Sequence, residues 1–300
     1  MKHIESHSPR AESGMTIMEM LIAMLIATIL LAGLVTIFAS MRNSFSTTRS
    51  LNQLVNQQQF ASTVLTNAIS SAGYYPATNR TIRGQFPTTD DAFPVVSITV
   101  DGKSLNFATA GQFVYGTGGT SRTSNDVVAV RMINNSSTQG PFDCLGSAGG
   151  STGNIFSVFW VDTATNTLKC ATNNGAAGSA GQPLLGGELL SGPGLPAGKY
   201  GGVKYLSALY GVDTNRDGSV NRFMSADTLN TASGQICPDV TTGTGNSSSC
   251  WPYVRSVRFT LGFITSLNNG STPVYLTRTV RLNNTNGMTL DSMSNVVVGN

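Results

Sequence analysis

Residues 14–19 read Gly14, Met15, Thr16, Ile17, Met18, Glu19, and residues 20–39 continue as MLIAMLIATILLAGLVTIFA, twenty residues without a charge. A helix needs about 20 apolar residues, at 1.5 Å rise each, to cross the roughly 30 Å of hydrocarbon in a bilayer. Lys2 and Arg10 precede the run and Arg42 is the first basic residue after it, an asymmetry that favours a cytoplasmic N-terminus. An ordinary secretory signal carries its small-residue cleavage site after the apolar stretch. Here the small residue, Gly14, stands before it. Cleavage after Gly14 removes a polar leader (1–14) and leaves the apolar helix on the mature chain; an uncleaved signal anchor is the alternative.

Glu19 is the only carboxylate between Gly14 and Asp90, and it sits at the edge of the apolar run. A charge within a membrane span costs about 2.5–3.5 kcal/mol at its centre and less near the interface, so it usually takes a partner. The α-amine released at Met15 is such a partner, in the same subunit or a neighbour; solvation at the interface is the alternative.

Beyond residue 39 the pattern becomes amphipathic. Phe45, Leu51, Leu54, Val55, Ala61, Val64, Leu65, Ala68 and Ile69 recur at helical spacing, with Gln, Asn, Ser and Thr between them. Residues 34–72 contain no Pro after Leu34 and no Gly, and Gly73 with Pro76 supplies the stop. One helix over 16–72 would be roughly 85 Å long. Its apolar stripe needs a cover. Strict heptads are absent, so a β-rich head is the expected cover rather than a coiled coil.

After Tyr74 the chain turns to short β-branched runs separated by Gly, Asn, Ser and Pro. Strands are expected over 95–100, 126–132, 156–161, 167–170, 203–210, 254–263 and 274–282, with Asp101-Gly102 as a hairpin turn. The segments 147–153 and 172–181 read as surface loops. The expected fold is α+β: one long N-terminal helix, hydrophobic then amphipathic, with an antiparallel β-rich head, possible as two sheets. The segments are a leader (1–14), a transmembrane and polymerisation helix (15–40), its amphipathic continuation (41–73) and the head (74–300).

Charged residues make up 11% of the 300 and the net charge is +3, with Lys and Arg scattered singly, so no basic block argues for nucleic acid. Both histidines, His3 and His7, precede Gly14. A mature chain without histidine excludes Ser-His-Asp and Cys-His catalysis and His-ligated zinc, and the protein is expected not to be an enzyme. The four cysteines, Cys144, Cys170, Cys237 and Cys250, lack close C-x-x-C spacing. In an exported chain they suggest two disulfides. Of the three connectivities, sequential pairing closes two local loops and is preferred; free buried thiols are the alternative.

The segment Asp213-Thr214-Asn215-Arg216-Asp217-Gly218-Ser219-Val220-Asn221 has oxygen side chains at alternate positions and glycine sixth. That is the first part of an EF-hand-type calcium loop, with Asp213, Asn215, Asp217, Ser219 and Asn221 as ligands. Met224 occupies the twelfth position, where a bidentate acid is usual, and Asp227 is the nearest substitute. A metal-free Asx-rich turn is the competing reading. Trp160, Trp251, Phe259 and Phe263 read as core, while Arg255, Arg258, Arg278 and Arg281 read as an exposed basic strip on a solvated face.

The N-terminal pattern from Gly14 to Glu19 resembles the type IV prepilin signal, with methionine where that family most often has phenylalanine. The resemblance implies cleavage after Gly14 by an inner-membrane prepilin peptidase, N-methylation of Met15, and pairing of Glu19 with a neighbouring subunit's amine during assembly. Asp143-Cys144-Leu145-Gly146, Thr167-Leu168-Lys169-Cys170, Tyr210-Gly211-Val212-Asp213 with Asp217-Gly218, and the ending Arg278-Thr279-Val280-Arg281-Leu282-Asn283 resemble PilW-type minor pilins. That resemblance implies a priming complex with other major and minor pilins at a pilus tip, often with a tip adhesin, and an inner-membrane assembly platform. It also implies an inner-membrane location before assembly and the cell surface after it. A J-type pseudopilin of type II secretion obeys the same N-terminal physics and is the related alternative. A membrane-anchored periplasmic enzyme or binding domain is the alternative of another class.

Overall fold

The computed structural model describes residues 16–74, 98–100, 103–105, 107, 111–133, 141–147, 154–172, 181–186, 202–215, 217–231, 237, 249–264, 272–282, 288–290 and 296–298. A single helix, α1 (Ile17–Ser70), opens the described chain. Thr16 precedes its first turn, and Gly73, at φ +77°, ends the turn that follows it. The chain divides into two units between Asn52 and Gln53, with α1 contributing to both.

In the first unit every described residue of 16–49 is exposed, including Met20, Leu25, Ile29, Leu34 and Phe38. A helix apolar on all sides is suited to a membrane or to other apolar helices rather than to water.

The second unit begins with the last turns of α1 and continues through the strands β1 (Ile98–Val100), β2 (Lys103–Leu105), β3 (Val114–Thr117), β4 (Val127–Ile133), β5 (Asn154–Asp162), β6 (Thr167–Thr172), β7 (Gln182–Leu185), β8 (Gly202–Val212) and β9 (Arg222–Ser225). A short helix α2 (Ala226–Thr231), a 3₁₀ turn (Trp251–Tyr253), β10 (Val254–Ile264), β11 (Val274–Arg281), β12 (Met288–Leu290) and β13 (Val296–Val298) complete it. All the described strand pairs within sheets are antiparallel. One sheet is the meander β3-β4-β5-β6-β7 and another has the order β11-β10-β8-β9. β1 and β2 pair with Val100 opposite Lys103, and the expected Asp101-Gly102 turn lies outside the described residues.

Period-two alternation assigns the faces of the meander. Ile155, Phe159 and Val161 of β5 join the main core, while Phe156, Val158 and Trp160 form a second cluster with Leu105 and Phe107. The main core gathers Leu54, Ala61, Leu65, Ala68 and Ile69 of α1, one face of the meander, and Leu206, Tyr210, Val257, Phe259 and Phe263 of the four-stranded sheet. The expected helix stripe is therefore split. Phe45 is 74% exposed, and Leu51 (46%) and Val55 (47%) are exposed as well. Their 3–4 spacing is helical, but the residues of α1 buried in the core are Leu54, Ala61, Leu65, Ala68 and Ile69.

The two sheets are tied by polar as well as apolar contacts. The Asp126 N–H donates to Leu206 O (2.7 Å) and the Asp126 carboxylate accepts from Ala208 N–H (2.8 Å). Trp251 packs edge-on against Tyr210 (4.8 Å) and lies 5.3 Å from Tyr115. Its indole donates to Asn230 Oδ1 (2.9 Å), and Asn230 Nδ2 in turn donates to Gly116 O (3.1 Å). Burial lifts the Tyr115 and Tyr210 phenols above the ordinary value. Arg131 lies buried over the Phe107 ring, 4.7 Å from its centre, and burial pushes its pKa down to about 9.

Candidate functional site: a capped apolar helix

The described chain starts at Thr16, so Gly14 and Met15 lie outside the described residues. Thr16 and Glu19 close a reciprocal cap on α1. Glu19 N–H donates to Thr16 Oγ1 (3.4 Å), and Thr16 N–H donates to Glu19 Oε2 (3.4 Å). This is the Thr-x-x-Glu capping box, which satisfies two of the amides that every helix start leaves unpaired. The spacing was present in the sequence, but a carboxylate beside an apolar run draws attention to charge first. The bonds are long and exposed, so the carboxylate is held near the helix start without being consumed there. A negative group at that end also suits the helix dipole.

Below this cap α1 is long and apolar enough to cross a membrane by length and composition. Its hydroxyls turn back on the helix: Thr28 Oγ1 donates to Leu25 O (2.8 Å) and Thr36 Oγ1 to Gly33 O (2.7 Å). No donor is left facing the apolar surroundings at these two positions. A side chain at Gly33 would meet nothing within 4 Å, so within this chain the glycine answers no packing demand.

Cys144 is bonded to Cys170, and Cys237 to Cys250. Around the first pair, Asp143 Oδ1 accepts from Leu145 N–H (2.9 Å) and Ser147 N–H (2.8 Å), and Gly146 adopts φ +82°. Cys144 N–H donates to Ser157 Oγ (3.1 Å), so the Asp-Cys-Leu-Gly turn is pinned to β5 and, through its disulfide, to β6.

The residues expected around a cation gather in the β8–β9 hairpin. Asp213 is fully buried; its Oδ2 accepts from Gly218 N–H (3.0 Å) and faces Arg255 Nε (3.5 Å). Asp217 accepts from Ser219 N–H (2.7 Å) and from Asn215 Nδ2 (2.9 Å), and the Ser219 amide above all holds its carboxyl below the usual range. Asn221 Oδ1 accepts from Thr214 N–H (2.9 Å). Asp227 is not brought to the turn. It starts α2, where its Oδ1 accepts from Gly118 N–H (3.2 Å) and its own N–H donates to Gly118 O (3.0 Å). Met224 is buried in β9.

The basic strip is also corrected. Arg255 is buried at 4% exposure, at the register shift between Val254 and Ser256 in a strand buried on both faces there, and Asp213 supplies its counter-charge. Burial lowers its pKa and Asp213 opposes that shift. Arg258 lies 3.8 Å from the centre of the Phe223 ring, and Arg278 and Arg281 are exposed on β11. Trp160, Trp251, Phe259 and Phe263 are core residues.

Three comparisons bear on this arrangement. The model of the prokaryotic N-terminal methylation motif matches residues 9–35. No curated protein matches the chain. Among solved structures, a type IV-like pilin from Thermus thermophilus aligns at 11% identity and a TM-score of 0.38, covering 77% of this chain and 97% of that one. A methylation motif on an exposed apolar helix, followed by antiparallel sheets, defines a type IV pilin-like protein. The model of the type IV pilus-assembly protein W matches residues 155–293, so the distal part of the chain is similar to that family.

The family's segments have physical reasons here. In Tyr210-Gly211-Val212-Asp213, Tyr210 fills the core, and a side chain on Gly211 would run into Ser256 and Val220. In the terminal segment Val280 and Leu282 are buried, and Leu282 N–H donates to Arg255 O (3.0 Å).

Proposed function

We propose that this chain is a minor pilin that primes, or enters, a type IV pilus as part of a tip complex with other major and minor pilins and a tip adhesin. Prepilin peptidase cleaves after Gly14, Met15 is N-methylated, and the protein waits in the inner membrane with its head in the periplasm. An assembly platform then moves it into the fibre, which carries it to the cell surface. The observation that carries this reading is an apolar helix with no cover of its own, headed by the lone carboxylate Glu19.

The physics follows from that arrangement. Leaving the bilayer, the apolar surface of residues 20–39 exchanges lipid tails for equivalent helices, and close packing rather than removal from water supplies the gain. Glu19, held only by 3.4 Å contacts to Thr16, exchanges them for a shorter charge-assisted bond to a neighbour's Met15 amine. N-methylation keeps that amine charged. Such a desolvated pair sets register more than it adds net stability.

The test is the mass of the N-terminal peptide from membrane-fractionated protein, with and without prepilin peptidase, alongside Glu19→Ala. The expected result is a chain that begins at methylated Met15 only with the peptidase, and a Glu19→Ala protein that is processed but fails to enter pili. A chain that begins at Met1 in both strains refutes the proposal.

A further inference from the structure

We infer that the β8–β9 hairpin, residues 213–221, is a calcium site in the head, independent of the assembly helix. The order of oxygens alone would not establish it, because an Asx-rich turn has the same composition. The decisive group is the Asp213 carboxylate. It is fully buried, and its two oxygens are used unequally. Oδ2 accepts from Gly218 N–H across the turn and faces Arg255, whereas Oδ1 is buried without a hydrogen-bond partner. A buried carboxylate oxygen left without a donor is costly, and native chains retain one where something satisfies it. The Gly218 bond ties this carboxylate across the turn that carries Asn215, Asp217 and Ser219.

The remaining donors are arranged to match. Asn215 spends Nδ2 on Asp217 and so keeps its amide oxygen for an ion. Each Asp217 oxygen accepts one bond and retains a second lone pair. Ser219 occupies the seventh position of the loop, where such loops ligate through a backbone carbonyl, and Gly218, at φ +84°, makes the sharp turn before it. Oxygen donors without nitrogen or sulfur select a hard cation. Magnesium demands near-ideal octahedral geometry and dehydrates reluctantly, so a short flexible loop completed by water favours calcium.

With Met224 in the twelfth position and Asp227 engaged elsewhere, no carboxylate among the described residues closes the shell. Arg255 also reduces the local negative charge. Both features set the affinity at the weak end, with Kd about 10⁻⁴ to 10⁻³ M, the range of extracellular calcium modules.

The experiment uses the full chain in detergent, stripped of metal, with thermal unfolding followed by Trp fluorescence during titration with CaCl2 or MgCl2. The expected result is a saturable rise in Tm with calcium and at least a tenfold weaker response to magnesium. Asp217→Asn, at an exposed position, should still unfold cooperatively in chelator and bind calcium at least tenfold more weakly. The inference is overturned if Tm is unmoved by calcium up to ~10 mM, if magnesium acts equally, or if Asp217→Asn responds as the parent does.

Discussion

Leu65→Ala tests how α1 is held to the head. Leu65 is fully buried in the main core together with Ala61, Ala68 and Ile69 of the same helix. Truncation removes three carbons from a site walled by two packed sheets, where neighbours can relax only partly. Transfer and cavity terms together give about 3 kcal/mol, within the range of such substitutions. For a folded region of this size that corresponds to roughly 6–12 °C in Tm. Val55→Ala is the matched control: Val55 lies ten residues earlier on the same helix but is 47% exposed, and it should cost under about 0.5 kcal/mol. The assay is reversible unfolding of the full chain in detergent, read by Trp160 and Trp251, which are both buried in the head. A Leu65→Ala shift below about 2 °C, or one matched by Val55→Ala, would refute the assignment of the core-facing arc.

Gly116→Ala should destabilise by about 1–3 kcal/mol, because the added methyl meets Tyr210 Oη and the Val127 carbonyl; wild-type melting would contradict the close approach of β3 to β8. Arg255→Met should cost about 3–5 kcal/mol in chelator, since it leaves the Asp213 carboxylate buried without its counter-charge. The double variant Arg255→Met with Asp213→Asn should recover part of that loss, and urea unfolding of both variants decides the matter. Asp162 is held below the usual carboxylate range chiefly by Lys169, 2.6 Å away. Its folded pKa is depressed, so its stabilisation is present above the unfolded value, about 3.9, and is lost as pH falls through the lower folded value. Lys169→Ala should remove no more than about 1 kcal/mol and flatten that acid limb; an unchanged slope of stability below pH ~4 would contradict the pairing.

What was legible in the sequence was whatever local periodicity and chain length decide. A run without charges beside a lone glutamate declares an apolar helix, because a helix satisfies its backbone within itself and needs no distant partner. The longer strands β4, β5, β8, β10 and β11 were visible for a similar reason, as β-branched runs between turn residues. Of the short strands, β1 falls within the expected 95–100, whereas β3 and β7 were not visible. Val114–Thr117 contains a glycine and Gln182–Leu185 a proline, and each is a strand only because a longer neighbour offers it hydrogen bonds.

Tertiary structure alone decided which helix residues face the core, since Leu54 and Val55 are equally apolar and adjacent, and only the position of the sheets separates them. It also decided the fate of the arginines. Arg255 and Arg258 are three residues apart on one strand, yet one meets a buried carboxylate from β8's end and the other an aromatic face on β9. Helical periodicity is a property of neighbours along the chain, whereas the partners of Arg255 and Arg258 lie on other segments, far away in sequence, so no local pattern carries them.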